Sequence, residues 1–375
     1  MLRPLREFKI GKPQIVAGLL LLAFLAQCLW AAQRKFFGPE YQYLALSQQG
    51  SSARGRHVNS PATTSIAALT LKLMAAIRGV APNPIKATLA VPRPWLVRLP
   101  FVMFGVSLGA ALWWVARRLF RDEGGYVALA LYCFSPTMVR ASSTIEPEII
   151  LAWSSFGLIY TAIGVAHTVY ASPRKWVPRI VLLGISIGIC LSTALWSFTV
   201  VLLAFAFMLY LTPGRRRAVL VVLGGASVMG ICIFGFFAWS SGSSGMETPA
   251  LITPRLTGDL VRSLSFPLVD GYVLMALLVF ALTAYWSWPR ARYFGNTAPL
   301  ITSFLMVLLF TLVPGGLWYP VLGLGFVFVF IGGVAADLLE TQARRSFAFF
   351  LVCVGVFRVI SSLILLERLT RQNFL

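Results

Sequence analysis

Long apolar runs alternate with short polar segments along the whole chain. A run of about 20 apolar residues is long enough to cross a bilayer as an α-helix. The pattern predicts about eleven such helices, several of them short and with indistinct ends. They cover residues 15–32, 97–116, 126–139, 149–169, 180–194, 196–211, 219–239, 271–286, 298–313, 317–335 and 347–366.

The composition agrees with this pattern. Hydrophobic residues make up 58% of the 375 residues, the mean hydropathy is +0.81, and charged residues make up 12%, about half the share found in soluble domains. The first apolar run exceeds the roughly 7–15 residues of a cleaved signal. The sequence therefore predicts an all-α, polytopic membrane protein that forms a single domain over residues 1–375.

The basic residues predict the orientation of the helices. Cytoplasmic loops of membrane proteins carry an excess of Lys and Arg. With a cytoplasmic N-terminus, more than half of the 32 Lys and Arg residues lie on the inner side. They are Arg3, Arg6, Lys9, Lys12, Arg117, Arg118, Arg121, Arg174, Lys175, Arg179, Arg215, Arg216, Arg217, Arg290, Arg292, Arg344 and Arg345.

These cations also explain the net charge of +20. Basic loops beside anionic lipid headgroups need no nucleic-acid partner, and the sequence contains no nucleic-acid-binding module. We therefore predict a multi-pass protein of the plasma (inner) membrane whose partners include membrane lipid and exclude nucleic acid.

The first outer segment, residues 33–96, is too apolar for a solvated loop. Residues 62–77 have the pattern of an amphipathic helix, which would lie in the membrane interface. The segment and its end hold one acid, Glu40, and many cations. These are Arg34, Lys35, Arg54, Arg56, Lys72, Arg78, Lys86, Arg93 and Arg98. A basic interfacial surface of this kind suits a lipid that carries a phosphate.

Two further acids, Glu146 and Glu148, lie at the boundary between two predicted helices. Carboxylates at such positions are unfavourable and usually functional, although either one could instead cap the next helix and complement its dipole. Arg98 and Arg140 either bind a phosphate or extend along the interface. Arg358 lies inside the last apolar run, where it either faces a cavity or marks an early end of the helix.

Four short motifs extend from the second predicted helix to the fourth. In order, they are Arg98-Leu99-Pro100-Phe101-Val102-Met103-Phe104-Gly105, Ala116-Arg117-Arg118-Leu119-Phe120, Phe134-Ser135-Pro136 and Glu148-Ile149-Ile150-Leu151-Ala152. Over about residues 98–160 the chain resembles the GT-C superfamily of polyprenyl-phosphate-sugar-dependent glycosyltransferases. The resemblance is strongest to the branch of the protein O-mannosyltransferases and the lipid A aminoarabinose transferases.

The resemblance implies a helical GT-C fold in which the first outer loop supplies the catalytic carboxylate. The family has an Asp-Glu pair followed by a Tyr, and this chain has Pro39-Glu40-Tyr41-Gln42-Tyr43. Aligned without gaps, Pro39 replaces the Asp and Glu40 matches the Glu. In a shifted register, Glu40 takes the place of the Asp. Tyr43 is then a candidate for substrate binding.

The predicted function is transfer of a sugar from a polyprenyl-phosphate donor to a hydroxyl of a lipid, glycan or protein acceptor at the outer face. This reaction needs a carboxylate for the acceptor's proton and positive charge for the departing phosphate. Glu40 and Glu148 are the predicted catalytic residues. Glu146, Arg98, Arg140 and Arg358 join Tyr43 as substrate-binding candidates. A divalent cation is one candidate source of the positive charge.

Two other classes of protein share some of these sequence features. A transporter would carry charges or broken helices at mid-membrane, and Arg358 is the main residue of that kind. A GT-C-like scaffold subunit of a larger membrane complex would keep the helices and lose the Asp-Glu pair. The scaffold is the stronger alternative because Pro39 stands where the Asp is expected.

The predicted orientation can be tested by labelling introduced cysteines in sealed cells. Cysteines at Ser51 and Ser243, on the predicted outer side, should react with a membrane-impermeant thiol reagent, whereas a cysteine at Gly214 should react only after permeabilisation. The unsubstituted protein gives the background from the native cysteines. Labelling of the Gly214 variant in sealed cells would reverse the topology.

Overall fold

The structure is a computed structural model that describes residues 11–49, 60–78, 93–170, 176–241, 270–311, 320–340 and 344–371. Over these ranges the regular structure is helical and no strand occurs, which confirms the all-α prediction. The α-helices are α1 (Lys12–Ala32), α2 (Gly38–Gln49), α3 (Pro61–Arg78), α4 (Pro94–Cys133), α5 (Pro136–Ser142), α6 (Glu148–Thr168), α7 (Val177–Thr193), α8 (Phe198–Leu211), α9 (Arg216–Ser240), α10 (Tyr272–Ser287), α11 (Phe294–Thr311), α12 (Pro320–Leu339) and α13 (Arg344–Arg371).

Five helical segments in the described part are long and apolar enough to cross a membrane. They are Lys12–Ala32, Pro94–Cys133, Glu148–Thr168, Pro213–Ser240 and Val321–Leu339, and several shorter apolar helices accompany them. The multi-pass prediction is confirmed, whereas the number eleven stays a prediction. Large side chains such as Leu19 and Leu22 of α1 are more than half exposed, as expected where a helix faces lipid.

Helix α12 lies at the centre of the bundle. In its most apolar stretch 89% of the residues are buried, against 28% in the corresponding stretches of α1 and of Pro213–Ser240. The aromatic rings of Phe326, Phe328 and Phe330 are fully buried in this helix. Helix α12 packs mainly against α4, α6, α10 and α11, while α1 and α9 lie at the periphery.

Helix α4 is a hairpin of two spans. Its backbone leaves the helical conformation at Phe120 and Arg121, and Arg121 has a left-handed φ of 62°. The hydroxyl of Tyr132 donates a 2.6 Å hydrogen bond to the carbonyl of Gly105, which requires the two halves to run antiparallel. The sequence predicted this reversal between residues 116 and 126.

The third predicted span, residues 126–139, is interrupted in the structure. Helix α4 ends at Cys133, and the short helix α5 begins at Pro136. A proline disfavours helical backbone at the residue before it and donates no N–H. Ser135 caps the new helix instead, because its Oγ accepts a 3.2 Å hydrogen bond from the N–H of Met138.

The long apolar run at residues 180–211 is divided as predicted. Helix α7 ends at Thr193, a single 3₁₀ turn spans Leu195–Ser197, and α8 begins at Phe198. Two glycines then allow α7 to pack closely on α9. A Cβ at Gly184 would lie 2.8 Å from Met229 Cβ, and one at Gly188 would lie 2.5 Å from Ile233 Cβ.

The first outer segment contains α2 and α3, and α3 coincides with the predicted amphipathic helix at residues 62–77. Its Ser65 hydroxyl lies 2.7 Å from that of Ser240 at the end of α9, so the segment is packed on the bundle. Four of the predicted outer positions lie outside the described residues. They are Ser51, Arg54, Arg56 and Lys86. Ser243, in a later loop that is also predicted to be outer, lies outside the described residues as well.

Candidate functional site

Glu40 and Arg98 form a fully buried ion pair at the start of α2 and α4. Both side chains are 0% exposed. Nε of Arg98 donates to Oε1 of Glu40 over 2.8 Å, and Nη2 donates to Oε2 over 2.5 Å. The contact is therefore a two-pronged, charge-assisted interaction, which is the strongest geometry for this pair of residues.

Every hydrogen-bonding group of the pair is in use. The remaining N–H groups of Arg98 donate to the backbone carbonyls of Ala32, Arg34 and Lys35. Glu40 also accepts from the backbone N–H groups of Phe37 and Ile145, so its carboxylate has four hydrogen bonds. A guanidinium offers five N–H donors and a carboxylate about four acceptor sites. Neither side chain has capacity left for a substrate.

The pair joins three segments that are distant in sequence. Its partners come from the end of α1 and the turn after it, from the start of α4, and from the connection between α5 and α6 at Ile145. Ile145 directly precedes Glu146. The pair therefore fixes the backbone that carries the two outer carboxylates.

A second buried ion pair holds the start of α5, the short helix that precedes this connection. Arg358 of α13 pairs with Asp270, and the two side chains are 3% and 0% exposed. The second oxygen of Asp270 accepts hydrogen bonds from the Ser135 hydroxyl over 2.5 Å and from the Thr137 N–H over 3.1 Å. Asp270 thus holds the first turn of α5, while Glu40 and Arg98 hold the chain after its last turn.

Glu146 and Glu148 lie in the segment between these two anchors. All residues from 141 to 150 are buried, and each glutamate is 7% exposed. Oε2 of Glu146 is buried without a hydrogen-bond partner, and burial raises the pKa of this carboxyl group. The N-cap of α6 is Pro147, which provides no capping side chain, so the capping alternative explains neither acid fully.

Two arginines lie beside these carboxylates. Arg140, at the end of α5, is exposed and interacts electrostatically with both glutamates. Arg34, after α1, has two buried nitrogens, Nε and Nη2, without a hydrogen-bond partner. Burial, and next the positive charge of Arg98, lowers the pKa of Arg34 to about 10. Unpartnered buried N–H groups are unfavourable by about 1–3 kcal/mol each. An anion that accepted hydrogen bonds from these two nitrogens would remove this cost.

Tyr43 of α2 lies on the same side of the cluster. Burial raises its pKa, and the negative charges of Glu146 and Glu148 raise it further. The phenol therefore remains protonated and can donate a hydrogen bond. The hydroxyl is a neutral donor next to two acids.

Six of the seven predicted residues thus lie around one part of the face predicted to be outer, namely Glu40, Tyr43, Arg98, Arg140, Glu146 and Glu148. Arg358 lies elsewhere and reaches the site only through Asp270 and α5. Sequence reasoning did not single out Arg34 or Asp270. Arg34 was one of many loop cations, and Asp270 is distant in sequence from its partners Ser135, Thr137 and Arg358. The signal that the sequence offered for Asp270 was its position as an acid directly before the helix predicted to start at residue 271.

A metal ion would have two acidic ligands at this position. Among the described residues, no group of three or more His, Cys, Asp and Glu side chains is arranged to hold a metal. Glu146 and Glu148 supply the one or two carboxylates with which a Mg²⁺ ion shared with a substrate phosphate is usually bound. Their buried carboxylates would provide the oxygen ligands, and the ion would add positive charge beside a leaving phosphate.

Comparison with solved structures identifies the fold. ArnT from Cupriavidus metallidurans bound to undecaprenyl phosphate matches 95% of this chain and 70% of its own, with a TM-score of 0.61 and 14% identity. Apo ArnT from the same organism matches 88% of this chain and 60% of its own, with a TM-score of 0.53 and 13% identity. The apo oligosaccharyltransferase of Archaeoglobus fulgidus matches 97% of this chain and 56% of its own, with a TM-score of 0.56 and 12% identity. The chain has the GT-C fold.

Sequence comparison agrees over part of the GT-C domain. The family model described as dolichyl-phosphate-mannose-protein mannosyltransferase matches residues 84–239, which contain Arg98, Arg140, Glu146 and Glu148. No curated protein sequence matches the chain. The chain spans 60% of the apo ArnT chain and 56% of the oligosaccharyltransferase chain. The resemblance predicted from the sequence motifs is confirmed at the level of the GT-C fold.

The buried pair makes a prediction about stability. Arg98→Met should destabilise the protein by roughly 3–5 kcal/mol, because it leaves Glu40 charged and unpaired in the interior. Glu40→Gln with Arg98→Met should recover part of this loss. The measurement is the unfolding free energy of the detergent-solubilised protein, with exposed Arg216→Met as the control. A loss below about 1 kcal/mol, as expected for an exposed pair, would contradict the structural role.

Proposed function

We propose that this protein is a membrane glycosyltransferase that transfers a sugar from a polyprenyl-phosphate donor to an acceptor hydroxyl at the predicted outer face. The observation that carries this proposal is the half-buried guanidinium of Arg34, whose Nε and Nη2 are buried without a partner and which interacts electrostatically with Glu146, two residues before Glu148. In such a cluster the guanidinium can bind a phosphate and a carboxylate can accept a proton. Both are needed to move a sugar from a phosphate to a hydroxyl.

The donor class follows from the charges and from the fold. Guanidinium groups bind phosphate oxygens through paired hydrogen bonds, and Arg34 and Arg140 both interact electrostatically with Glu146. The GT-C neighbour with the 0.61 TM-score was solved with undecaprenyl phosphate. A lipid-linked phosphate is therefore the best candidate for the anion.

In the proposed reaction, the acceptor oxygen attacks the anomeric carbon of the sugar. The bond between that carbon and the phosphate oxygen breaks, and the electron pair leaves with the polyprenyl phosphate. Arg34 and Arg140 stabilise the charge that develops on the phosphate. The proton of the acceptor hydroxyl passes to a carboxylate.

We assign the proton to Glu148 and an orienting role to Glu146. Glu146 interacts electrostatically with both arginines, and Arg140 is the neighbouring cation of Glu148. A phosphate held between Arg34 and Arg140 would therefore lie closer to Glu146. In the proposed reaction, the acceptor attacks from the side opposite the phosphate and passes its proton to Glu148. Tyr43 would donate a hydrogen bond to the sugar or the acceptor.

This proposal changes the roles expected for Glu40 and Arg98. Glu40 was expected to be a base and Arg98 a phosphate partner, but each uses its full hydrogen-bonding capacity in the buried pair. Proton transfer to Glu40 would remove the charge that holds Arg98. We therefore treat both as positioning residues that fix Ile145 and the carboxylates after it.

The proposal is tested by measuring sugar transfer in membranes supplied with radiolabelled polyprenyl-phosphate hexose and pentose donors. Glu148→Gln keeps the size and polarity of the side chain but removes the base, so the rate should fall by the roughly 10²–10⁴-fold typical of a lost general base. Arg34→Gln should weaken donor binding by on the order of tenfold, because at least one charge-assisted contact is lost.

Glu123→Gln serves as the matched control, because Glu123 is an exposed acid near the α4 reversal, on the predicted cytoplasmic side. It should transfer at the rate of the unsubstituted protein. Transfer that is unchanged in both Glu148→Gln and Arg34→Gln would exclude the proposed site.

A scaffold without catalysis is the second candidate function. One observation favours it: the first-loop carboxylate that matches the family's motif is fully hydrogen-bonded to Arg98 and the backbone. In that case the site would serve a neighbouring subunit, and no donor would be consumed. Absence of transfer above membranes lacking the protein, with both donor types, would support the scaffold.

A further inference from the structure

A cavity of about 480 Å³ opens at the end of α6 opposite to the carboxylates. It lies among α4, α6, α7 and the start of α11. His167 at its mouth follows Glu148 by 19 residues in the same helix, which corresponds to about 28 Å at 1.5 Å per residue. The cavity therefore lies at the other membrane boundary, which is predicted to be cytoplasmic, and is distinct from the proposed transfer site.

Cationic side chains surround the mouth of this cavity. Arg118, Arg179 and His167 line it, and its lining contains no acidic residue. The guanidinium of Arg118 is centred 5.3 Å from the ring of Trp114. Neither Arg118 nor Arg179 has an ion-pair partner in the described part of the chain. Among the residues that the structure describes, no acid neutralises the positive charge at this mouth.

A glycine of α6 places one of these cations. The Nη1 of Arg179 would lie only 3.3 Å from a Cβ at Gly164. Because Gly164 has no side chain, the guanidinium of α7 can rest against α6 and extend over the cavity. Here a glycine allows a close approach of a charged side chain to a helix.

The inner part of the cavity is apolar with one polar exception. Phe156, Leu182 and Ala298 contribute apolar surface. The hydroxyl of Tyr160 is buried in the same lining and has no hydrogen-bond partner. A buried hydroxyl without a partner is unfavourable, so this group is available to a ligand that carries an oxygen near the start of an apolar chain.

We propose that this cavity binds an anionic phospholipid from the adjacent leaflet. The headgroup phosphate would be held by Arg118 and Arg179. An ester oxygen near the glycerol would accept a hydrogen bond from the Tyr160 hydroxyl, and an acyl chain would lie on the apolar surface. Charge without a counter-ion, an apolar interior and a position at a membrane boundary together fit this class of ligand. The lipid would join α4, α6, α7 and α11, and the proposal does not depend on transfer activity.

The test is native mass spectrometry of the detergent-purified full chain titrated with phosphatidylglycerol. One tightly bound lipid is expected, and Arg118→Gln with Arg179→Gln should weaken its binding by on the order of tenfold or more. The matched control, Arg216→Gln with Arg217→Gln, removes the same charge from exposed positions on the same side and should change the affinity less than about twofold.

A second variant keeps the charges and fills the space. Thr161→Phe adds a ring to the cavity lining and should also reduce phosphatidylglycerol binding. The proposal is overturned if the double Gln variant and Thr161→Phe both bind like the unsubstituted protein, or if phosphatidylcholine binds as tightly. Effective competition by glycerol 3-phosphate would indicate a soluble phosphate ligand, and preferential binding of undecaprenyl phosphate would indicate the donor lipid. Either result would also reject the phospholipid.

Discussion

The buried pair of Glu40 and Arg98 is the interaction on which the arrangement of the candidate site depends. Two opposite charges in an apolar interior are tolerated only when their remaining hydrogen-bonding groups are satisfied. Here the backbone of three separate segments provides those bonds. Each segment must therefore take up one position for the pair to form. The pair converts an electrostatic requirement into a fixed arrangement of the first outer loop, α4 and the connection to α6.

A similar requirement operates at the other end of that connection. Asp270 is held by Arg358 and in turn holds Ser135 and the first turn of α5. The short α5 and the following residues are thus anchored at both ends by buried carboxylates. Between the anchors, Oε2 of Glu146 and two nitrogens of Arg34 have no partners. The fully hydrogen-bonded pair of Glu40 and Arg98 holds the backbone in place, and the unpartnered atoms of Glu146 and Arg34 belong to the site that we propose for sugar transfer.

Much of the fold followed from sequence because its determinants are local. Apolar runs predict helices, and the apolar run at residues 180–211 divided where it was expected. The break before Pro136 was not predicted, although proline disfavours helical backbone at the residue before it. The side of the membrane assigned from the basic loops stays a prediction. The site followed less completely. Glu146 and Glu148 were visible because acids are rare in this chain, but the roles of Glu40 and Arg98 depend on a contact across 58 residues. Arg34 and Asp270 acquire their meaning only from distant partners, which periodicity and composition do not reveal.

The most direct test of this account is a cryo-electron-microscopy structure of the protein in lipid nanodiscs with undecaprenyl phosphate. The account predicts that the phosphate lies within hydrogen-bonding distance of the Arg34 and Arg140 guanidinium groups. Glu148 should face the side from which an acceptor approaches, and the pair of Glu40 and Arg98 should remain intact. A phosphate bound instead by Arg98 with Glu40 released, or bound away from Arg34 and Arg140, would contradict it.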